Sequence, residues 1–183
     1  LEDGDVIDST KMSAKALRSF LEDEIKDAKD QGVLFSLHVK ATMMKISDPI
    51  IFGHAVAAYL KDVFEKYADT FTELGVDPDF GIGDLLLKID TLPADQKAAI
   101  EADIDACMEA QPDLYMVNSD RGISNLHVSS DVIIDASLPA LIRAGGKAWG
   151  PDGKENDTKC VIPDSSYAGI YAETIDFCKE RGA

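Results

Sequence analysis

Apolar residues recur at helical spacing over several stretches of the chain, and shorter apolar runs separate these stretches. The first stretch begins after Ser13, a favourable N-cap residue, and ends at Gly32, a common C-terminal stop. Its apolar positions are Leu17, Phe20, Leu21, Ile25 and Ala28. The run Val33–Val39 that follows is interrupted only by Ser36 and His38, which predicts a strand buried on both faces.

A longer apolar stripe at helical spacing begins at Asp48-Pro49 and ends at Gly75, which predicts one sustained helix. Asp48 would cap this helix, and Pro49 would occupy its first turn, where a missing N–H is tolerated. Further helices are predicted around Ile82–Ile89, after Pro93, from Asp131 to about Arg143 with Ser130 as its cap, and after Asp164 or Ser165.

Short apolar runs predict the remaining strands. They lie at Leu114–Val117, Leu126–Val128, Lys147–Trp149 and Thr158–Ile162. The last two flank a Gly-Pro-Asp-Gly turn and predict a β-hairpin. Because strands and helices alternate, the pattern predicts an α/β fold, with a mixed, mainly parallel sheet, helices packed on both faces, and the hairpin near residues 147–162. The length of 183 residues suits a single domain spanning 1–183.

Composition excludes several functional classes. The net charge is −16, from 18 basic and 34 acidic residues, and this argues against binding to nucleic acid or to an anionic membrane surface. No stretch approaches the roughly 20 apolar residues that span a bilayer. The three cysteines are far apart and odd in number, so no disulfide framework or zinc motif follows. A reducing compartment, the cytoplasm, is the simplest interpretation.

Two lysines, Lys40 and Lys45, flank Ala-Thr-Met-Met directly after the first predicted strand. One interpretation is that both are surface lysines, with Met43 and Met44 filling the core. The other is that Lys40, delivered into a loop by a buried strand, belongs to a site for an anionic substrate near the N-terminus of the next helix. Because desolvation lowers the pKa of lysines, a lysine in such a setting can exchange protons near neutral pH.

Two aspartates, Asp131 and Asp135, lie four residues apart in SSDVIIDAS. On one helix these positions share a face, so both carboxylates could bind a single hard divalent cation. Asp135 lies among apolar residues, where a carboxylate needs a partner, and a metal ion is one such partner. The alternative is that Asp131 is an ordinary acidic residue near a helix start, where the helix dipole favours it.

The remaining polar candidates carry no recognisable motif. They are His38, His54, His127, Ser165 and Ser166. The histidines lack metal-ligand spacing and are interpreted as hydrogen-bonded scaffold residues. The serines, at the start of the last predicted helix, suit capping and binding equally well. Residues 81–83, Gly-Ile-Gly, lack the spacing of a dinucleotide loop, and the sequence holds no P-loop or GxSxG element.

Three longer segments are far more specific than these spacings. They are LHVKATMMKISDPIIFGH, NSDRGISNLHVSSDVIIDASLPALIR, and WGPDGK together with VIPDSSYAGIY. All three closely resemble, in family order, the monomeric type of NADP-dependent isocitrate dehydrogenase of bacteria. The resemblance runs from about Asp5 to the C-terminus. Because members of this family are several times longer, we expect the chain to be an internal fragment, part of the family's smaller inner domain.

The resemblance implies metal-dependent oxidative decarboxylation of isocitrate to 2-oxoglutarate with NADP, in the tricarboxylic acid cycle and the glyoxylate bypass. The lysine that opens KATMMK in the family matches Lys40, which implies proton transfer at the substrate hydroxyl. The metal-binding aspartate of DVIIDAS matches Asp135 and implies a site for Mg²⁺ or Mn²⁺, with Asp131 as the weaker candidate. Lys45 and Thr42 lie close by in the motif, but no role carries over to them.

The resemblance also limits what this chain is expected to do alone. The family's NADP-binding residues, its catalytic tyrosine and most of its substrate and metal ligands fall outside the 183 residues, so we expect the isolated chain to lack turnover. We expect isocitrate as the substrate and no nucleic-acid or membrane partner. We expect the whole protein to be monomeric, whereas the fragment could self-associate. The alternative is a non-catalytic binding or interaction module that keeps half of the cleft, and a third reading is an α/β domain without a site.

Overall fold

A computed structural model describes residues 1–7, 11–40 and 47–182 of the chain. Within these ranges the helices are α1 (Ala14–Gln31), α2 (Ser47–Tyr59), α3 (Lys61–Lys66), α4 (Ala68–Leu74), α5 (Ile82–Ile89), α6 (Ala94–Ala110), α7 (Ile134–Arg143) and α8 (Ser165–Arg181). The strands are β1 (Leu34–Leu37), β2 (Met116–Asn118), β3 (Ile123–Ser124), β4 (Lys147–Trp149) and β5 (Glu155–Val161). Short 3₁₀ helices lie at Pro78–Phe80, Ser119–Arg121 and Ser129–Val132. None of the helices in the described ranges has the length and apolarity that crossing a bilayer requires.

The strand β5 lies at the centre of a three-stranded sheet. It pairs in parallel with β1, so that Leu37 lies opposite Val161, and antiparallel with β4 in the predicted hairpin. The strands β2 and β3 form a separate antiparallel ribbon. The other edge of β1 carries two isolated parallel bridges, Phe35–Leu114 and Val39–Ile133. The mixed α/β class is confirmed, with parallel pairing at β1 and antiparallel pairing in the hairpin and the ribbon.

Strand β1 is buried on both faces, as the apolar run predicted. Successive side chains of a strand point to opposite faces, and each face of β1 meets its own apolar cluster. Phe35 and Leu37 belong to the larger cluster, which includes residues of α1, α2, α5 and α6. Leu34 packs with Leu141 of α7 and Ala148 of β4 in the smaller one. Helices therefore cover both sides of β1, and each large side chain that is fully buried contributes about 1.5–3 kcal/mol.

Helix α1 begins and ends where the sequence predicted. The Ser13 hydroxyl accepts a hydrogen bond from the Ala16 N–H at 3.3 Å. Gly32 has φ 66°, in the left-handed region that glycine tolerates best, and its N–H bonds the carbonyls of Ala28 and Lys29. These ends place the apolar face of α1 against the larger cluster.

The single long helix predicted after Asp48 is wrong, because the segment forms three helices, α2, α3 and α4. The breaks fall at Leu60 and Tyr67, where ψ is 33° and 23°. At the first break, the carbonyl of Tyr59 accepts hydrogen bonds from a thiol and an amide side chain at the end of α6, at 3.5 and 3.3 Å. The apolar stripe continues across both bends, so its spacing alone does not reveal them.

The strand predicted at Leu126–Val128 is also wrong, because this segment contacts the start of α5 instead. Two carbonyls of the segment accept the N–H groups of Ile82 and Gly83, both at 3.0 Å. Gly81 permits this approach, since it has φ +88° and a Cβ there would lie 2.2 Å from the His127 carbonyl oxygen. The Gly-Ile-Gly segment is therefore a packing feature.

Candidate functional site

Lys40 and Asp135 come together because the end of β1 is joined to the start of α7. The N–H of Ile134 donates to the carbonyl of Val39 at 3.0 Å, beside the parallel bridge between Val39 and Ile133. Lys40 and Asp135 are the next residues along the two segments, and Lys40 Nζ forms an ion pair with Asp135 Oδ2. The two residues that the sequence singled out for chemistry are therefore in direct contact.

The Lys40–Asp135 pair lies at the surface of the described structure. The Lys40 side chain is 22% exposed and that of Asp135 is 48% exposed. Asp135 also lies in the first turn of α7, where the helix dipole favours a negative charge. An exposed ion pair of this kind is weak in itself. It leaves both the carboxylate and the ammonium within reach of a ligand.

Asp131 does not share a helix face with Asp135, so the predicted i, i+4 arrangement is wrong. Asp131 lies in the 3₁₀ helix Ser129–Val132, and α7 begins only after Ile133. Ile133 is extended, with ψ 112°, because it pairs with Val39. The two carboxylates therefore belong to two separate helical segments.

The surroundings of Asp131 differ from those of Asp135. Burial raises the pKa of the Asp131 carboxyl, and the charge of His127 acts in the opposite direction. Ser130, predicted to cap α7, lies in the same 3₁₀ helix and makes no capping bond to α7, whose N-cap position is Ile133. A metal-binding role for Asp131 stays a prediction.

Asp48 is a fully buried carboxylate beside Lys40. The sequence assigned it to the cap of α2, but α2 begins at Ser47 and the Asp48 side chain bonds Lys40, which follows β1 in the chain. Its Oδ2 accepts the backbone N–H of Lys40 at 2.6 Å, and its Oδ1 accepts the Ser47 hydroxyl at 3.1 Å. Burial raises the pKa of Asp48, the hydrogen bond from Lys40 opposes the rise, and the charge of Asp164 adds to it. No local signal reveals this contact, since Asp before Pro is also the signature of a cap.

His38 is a buried scaffold residue, as predicted. Its Nε2 lies 2.8 Å from Ser36 Oγ and its Nδ1 lies 2.7 Å from Ser137 Oγ. The Ser137 hydroxyl donates to the Ile133 carbonyl at 2.8 Å, so its oxygen accepts from His38, which assigns the Nδ1–H tautomer. Burial lowers the pKa of His38 to about 4, so the ring is neutral at physiological pH. This network joins β1 to α7 two residues from Asp135.

Asn125 completes the polar contacts around β1. Its Nδ2 donates to Ser36 Oγ at 3.2 Å and to the Leu37 carbonyl at 3.4 Å. Its Oδ1 is buried and has no hydrogen-bond partner within the described ranges. The residues with these contacts are called the β1 polar set below: Ser36, His38, Asp48, Asn125 and Ser137.

The other predicted candidates divide into two groups. Outside the described residues lie Thr42, Met43, Met44 and Lys45. A cavity of about 450 Å³ between the start of α1, α2 and the start of α8 is lined in part by His54, Ser165 and Ser166. Arg18 Nε donates to His54 Nδ1 at 3.3 Å, and Ser166 donates its N–H and its hydroxyl to Asp164, the N-cap of α8. The N-cap of α8 is therefore Asp164, one of the two predicted cap residues, and a binding role for Ser165 or Ser166 stays a prediction.

The donor set around Asp135 fits a hard divalent cation in part. Among the residues that the structure describes, no group of three or more His, Cys, Asp or Glu side chains could hold a metal ion. Asp135 supplies one exposed carboxylate, the type of donor that Mg²⁺ and Mn²⁺ prefer. Mg²⁺ is usually held by one or two carboxylates together with water and substrate oxygens. Asp135 can therefore serve as one ligand, and the others must come from elsewhere.

The whole chain matches one protein family. The family model for monomeric isocitrate dehydrogenase covers residues 1–183. Isocitrate dehydrogenase (NADP) 2 of Colwellia maris is 58% identical over 183 residues, 100% of this chain and 25% of that protein. Isocitrate dehydrogenase (NADP) of Azotobacter vinelandii is 57% identical over 180 residues, which are 98% of this chain and 24% of that protein. Isocitrate dehydrogenase (NADP) 2 of Mycobacterium tuberculosis is 57% identical over 182 residues, which are 100% of this chain and 24% of that protein.

These matches confirm the resemblance found in the three sequence segments. The chain spans about a quarter of the length of the curated relatives it matches. Within that quarter more than half of the residues are identical, and the family model leaves no residue of the chain unmatched. The chain therefore belongs to the monomeric isocitrate dehydrogenase family.

Proposed function

We propose that the full-length protein with this sequence is an NADP-dependent isocitrate dehydrogenase, which converts isocitrate and NADP⁺ to 2-oxoglutarate, CO₂ and NADPH. Family membership and the names of the relatives support this activity. Within the chain, the observation that carries the proposal is the contact between Lys40 and Asp135 where β1 meets α7. Because the chain spans only about a quarter of those relatives, the proposal concerns the whole protein.

Lys40 is the residue that would exchange a proton with the substrate hydroxyl. Oxidation at C2 of isocitrate removes a hydride from carbon, which NADP⁺ accepts, and a proton from the hydroxyl. The Lys40 side chain accepts that proton as a neutral amine, so its ammonium first releases a proton to water. Lys40 is held at its backbone N–H by Asp48 and at its ammonium by Asp135, which limits the space that the flexible side chain samples. Proton transfer by a positioned side chain typically contributes about 10²–10⁴-fold to a rate.

Asp135 would supply one ligand to Mg²⁺ or Mn²⁺, with Asp131 as the weaker candidate. When bound, such an ion polarises the carbonyl that forms from the substrate hydroxyl, which favours loss of CO₂. Asp135 Oδ2 cannot hold the Lys40 ammonium and a divalent cation at the same position. Lys40 would therefore move from Asp135 to the substrate hydroxyl as a cation takes its place.

Substitutions in the full-length enzyme test the two roles. Lys40→Met removes the ammonium but keeps an unbranched side chain, and kcat should fall by about 10²–10⁴-fold while the fold is retained. Asp135→Asn keeps the size of the side chain and should raise the Mn²⁺ concentration that gives half-maximal activity. Lys97→Met, at an exposed ion pair of α6, is the matched control and should change neither value. Normal activity of Lys40→Met or Asp135→Asn at every metal concentration would remove the corresponding role.

The 183-residue chain by itself is expected to form no NADPH from isocitrate. Its sequence holds no dinucleotide-binding motif, and Asp135 alone is a poor Mg²⁺ site. An absorbance assay for NADPH checks this, with the full-length enzyme as the positive control. Measurable turnover by the purified chain would contradict the expectation.

A non-catalytic interaction module is the second candidate, favoured by one observation. Helix α8 has no buried residue, and it leaves Ile170 62% exposed and Phe177 57% exposed. Such side chains suit contact with a further protein surface. Size-exclusion chromatography of the chain tests this, because a stable dimer would favour the module and a monomer would count against it.

A further inference from the structure

Asp48 bonds Lys40, three residues beyond the end of β1, and Ser47, the first residue of α2. Its two oxygens accept the Lys40 N–H at 2.6 Å and the Ser47 hydroxyl at 3.1 Å. The first of these is short for an N–H···O bond, whose usual length is about 2.9 Å. Lys40 and Ser47 flank residues 41–46, so one carboxylate ties the residues that follow β1 to the start of α2.

The burial of Asp48 needs a physical explanation. The residue is 0% exposed, and carboxylates are almost never fully buried unless they are paired. Aspartates at helix starts ordinarily accept N–H groups of their own helix. Asp48 Oδ2 instead accepts the N–H of Lys40, eight positions earlier. The carboxyl of Asp164, at the N-cap of α8, also lies close to Asp48, so parts of β1, α2 and α8 meet at one side chain.

We infer that Asp48 is a positioning residue for Lys40. Lys40 is held at two points, its backbone N–H at Asp48 and its Nζ at Asp135. With the backbone fixed, only the side-chain torsions remain to be set, so Nζ stays within reach of Asp135 and of a substrate bound beside it. Asp48 is fully buried, so it acts through Lys40 and does not touch the substrate. This inference rests on the proposed catalytic function of Lys40.

A purely structural role for Asp48 would have different consequences. Loss of a buried hydrogen bond lowers stability whatever the residue does for catalysis. A positioning role also lowers kcat in an enzyme that remains folded, because a displacement of about 1 Å can cost about 100-fold in rate. KM then changes little, and a variant that keeps the hydrogen-bond acceptor restores the rate.

Three variants of the full-length enzyme separate these roles. Asp48→Asn keeps the size and one oxygen acceptor, and its amide can donate towards Asp164. Asp48→Ser keeps a polar group that is too short to reach the Lys40 N–H. Asp77→Ser is the matched control, because Asp77 also accepts a backbone N–H, that of Asp79 at 3.0 Å, at the 3₁₀ helix that follows α4.

We expect Asp48→Ser to lower kcat by about 10–100-fold with the KM for isocitrate within about threefold of wild type. Asp48→Asn and Asp77→Ser should keep kcat within about threefold. Hydrogen exchange at the Lys40 amide should accelerate by at least about tenfold in Asp48→Ser alone. In a Lys40→Met background, Asp48→Ser should cause no further loss of kcat, because its effect passes through Lys40.

Wild-type kcat in folded Asp48→Ser, or a further loss in the Lys40→Met background, would overturn the inference. Unchanged exchange at the Lys40 amide would overturn it as well, and so would equal losses in Asp48→Asn and Asp48→Ser. If Asp48→Ser does not fold, Asp48→Glu replaces it, because it moves the acceptor by one methylene, and wild-type kcat there would count against positioning. Normal activity of Lys40→Met would instead contradict the proposed function of Lys40. In that case, hydrogen exchange at the Lys40 amide still shows whether Asp48 holds the Lys40 backbone.

Discussion

Two carboxylates bind Lys40, and they differ in almost every physical respect. Asp48 is 0% exposed and holds the backbone N–H of Lys40. Asp135 is 48% exposed and holds the ammonium. The first contact cannot exchange for water without opening the structure, whereas the second can exchange for water or a cation at little cost. A fixed backbone with an exchangeable partner at the tip is the arrangement that suits a side chain with a ligand-dependent role.

The other residues of the β1 polar set resemble Asp48, because their hydrogen bonds also hold the structure beneath the exposed ion pair. His38 bonds Ser137 of α7, and Ser137 bonds the Ile133 carbonyl that precedes Asp135. These buried contacts set α7 against β1, while the ion pair above them stays open to solvent. Supporting hydrogen bonds of this kind hold functional side chains in a fixed geometry. The comparison therefore predicts large stability effects for the buried residues and small ones for the exposed pair.

The largest effect on stability is expected from acid, acting on His38. Burial lowers the pKa of His38 from 6.5 to about 4, so between these values the unfolded chain binds a proton that the folded chain does not. This contribution to stability is complete above pH 6.5 and falls as the pH drops towards 4, by up to about 3 kcal/mol. Thermal unfolding of wild type and His38→Gln across this range measures it, because the variant should lack this part of the pH dependence. Identical pH dependence in both proteins would contradict the assignment of a buried neutral ring.

A smaller effect distinguishes the two carboxylates directly. Asp48→Ala leaves the buried N–H of Lys40 without its acceptor and should lower the free energy of local opening by about 1–3 kcal/mol. Asp135→Ala removes one half of an exposed ion pair and should change the free energy of local opening by less than about 1 kcal/mol. Hydrogen exchange on peptides that cover β1 and α7 measures both variants in the full-length enzyme. Equal losses would show that the two carboxylates do not differ in the way their burial indicates.

The smallest effect concerns competition for Asp135. Without isocitrate present, Lys40→Met should bind Mn²⁺ up to about fivefold more tightly, because an exposed ion pair worth about 0–1 kcal/mol no longer opposes the cation. Titration calorimetry of the full-length enzyme measures this, with Lys97→Met as the unaffected control and Asp135→Asn as the weakened one. Weaker Mn²⁺ binding by Lys40→Met would mean that the ammonium does not compete for this carboxylate.

Features with local signals were predicted well. Ser13 and Gly32 mark the ends of α1 through contacts with residues no more than four positions away. The hairpin of β4 and β5 follows from a turn sequence between two short apolar runs. Lys40 could be singled out because it directly follows a buried strand. Asp135 was singled out for its apolar sequence neighbours, but its side chain is 48% exposed, so that reason was wrong, and the chemical roles of both residues stay predictions.

Features that depend on distant partners could not be predicted. The break after Tyr59 involves side chains at the end of α6, about fifty positions later. Asp131 and Asp135 are separated because Ile133 pairs with Val39, far away in the chain. The spacing of apolar residues carries no information about such pairings, so the predicted helices extended to the ends of their apolar stripes.

The hydrogen bond between the Ile134 N–H and the Val39 carbonyl joins two main-chain groups. Every amino acid brings the same carbonyl, and every one except proline brings the same donor. The distance between Lys40 and Asp135 thus depends more on the backbone at this junction than on its side chains, which can be replaced as long as they fill the core. Proline at position 134 is the one replacement that this logic forbids outright.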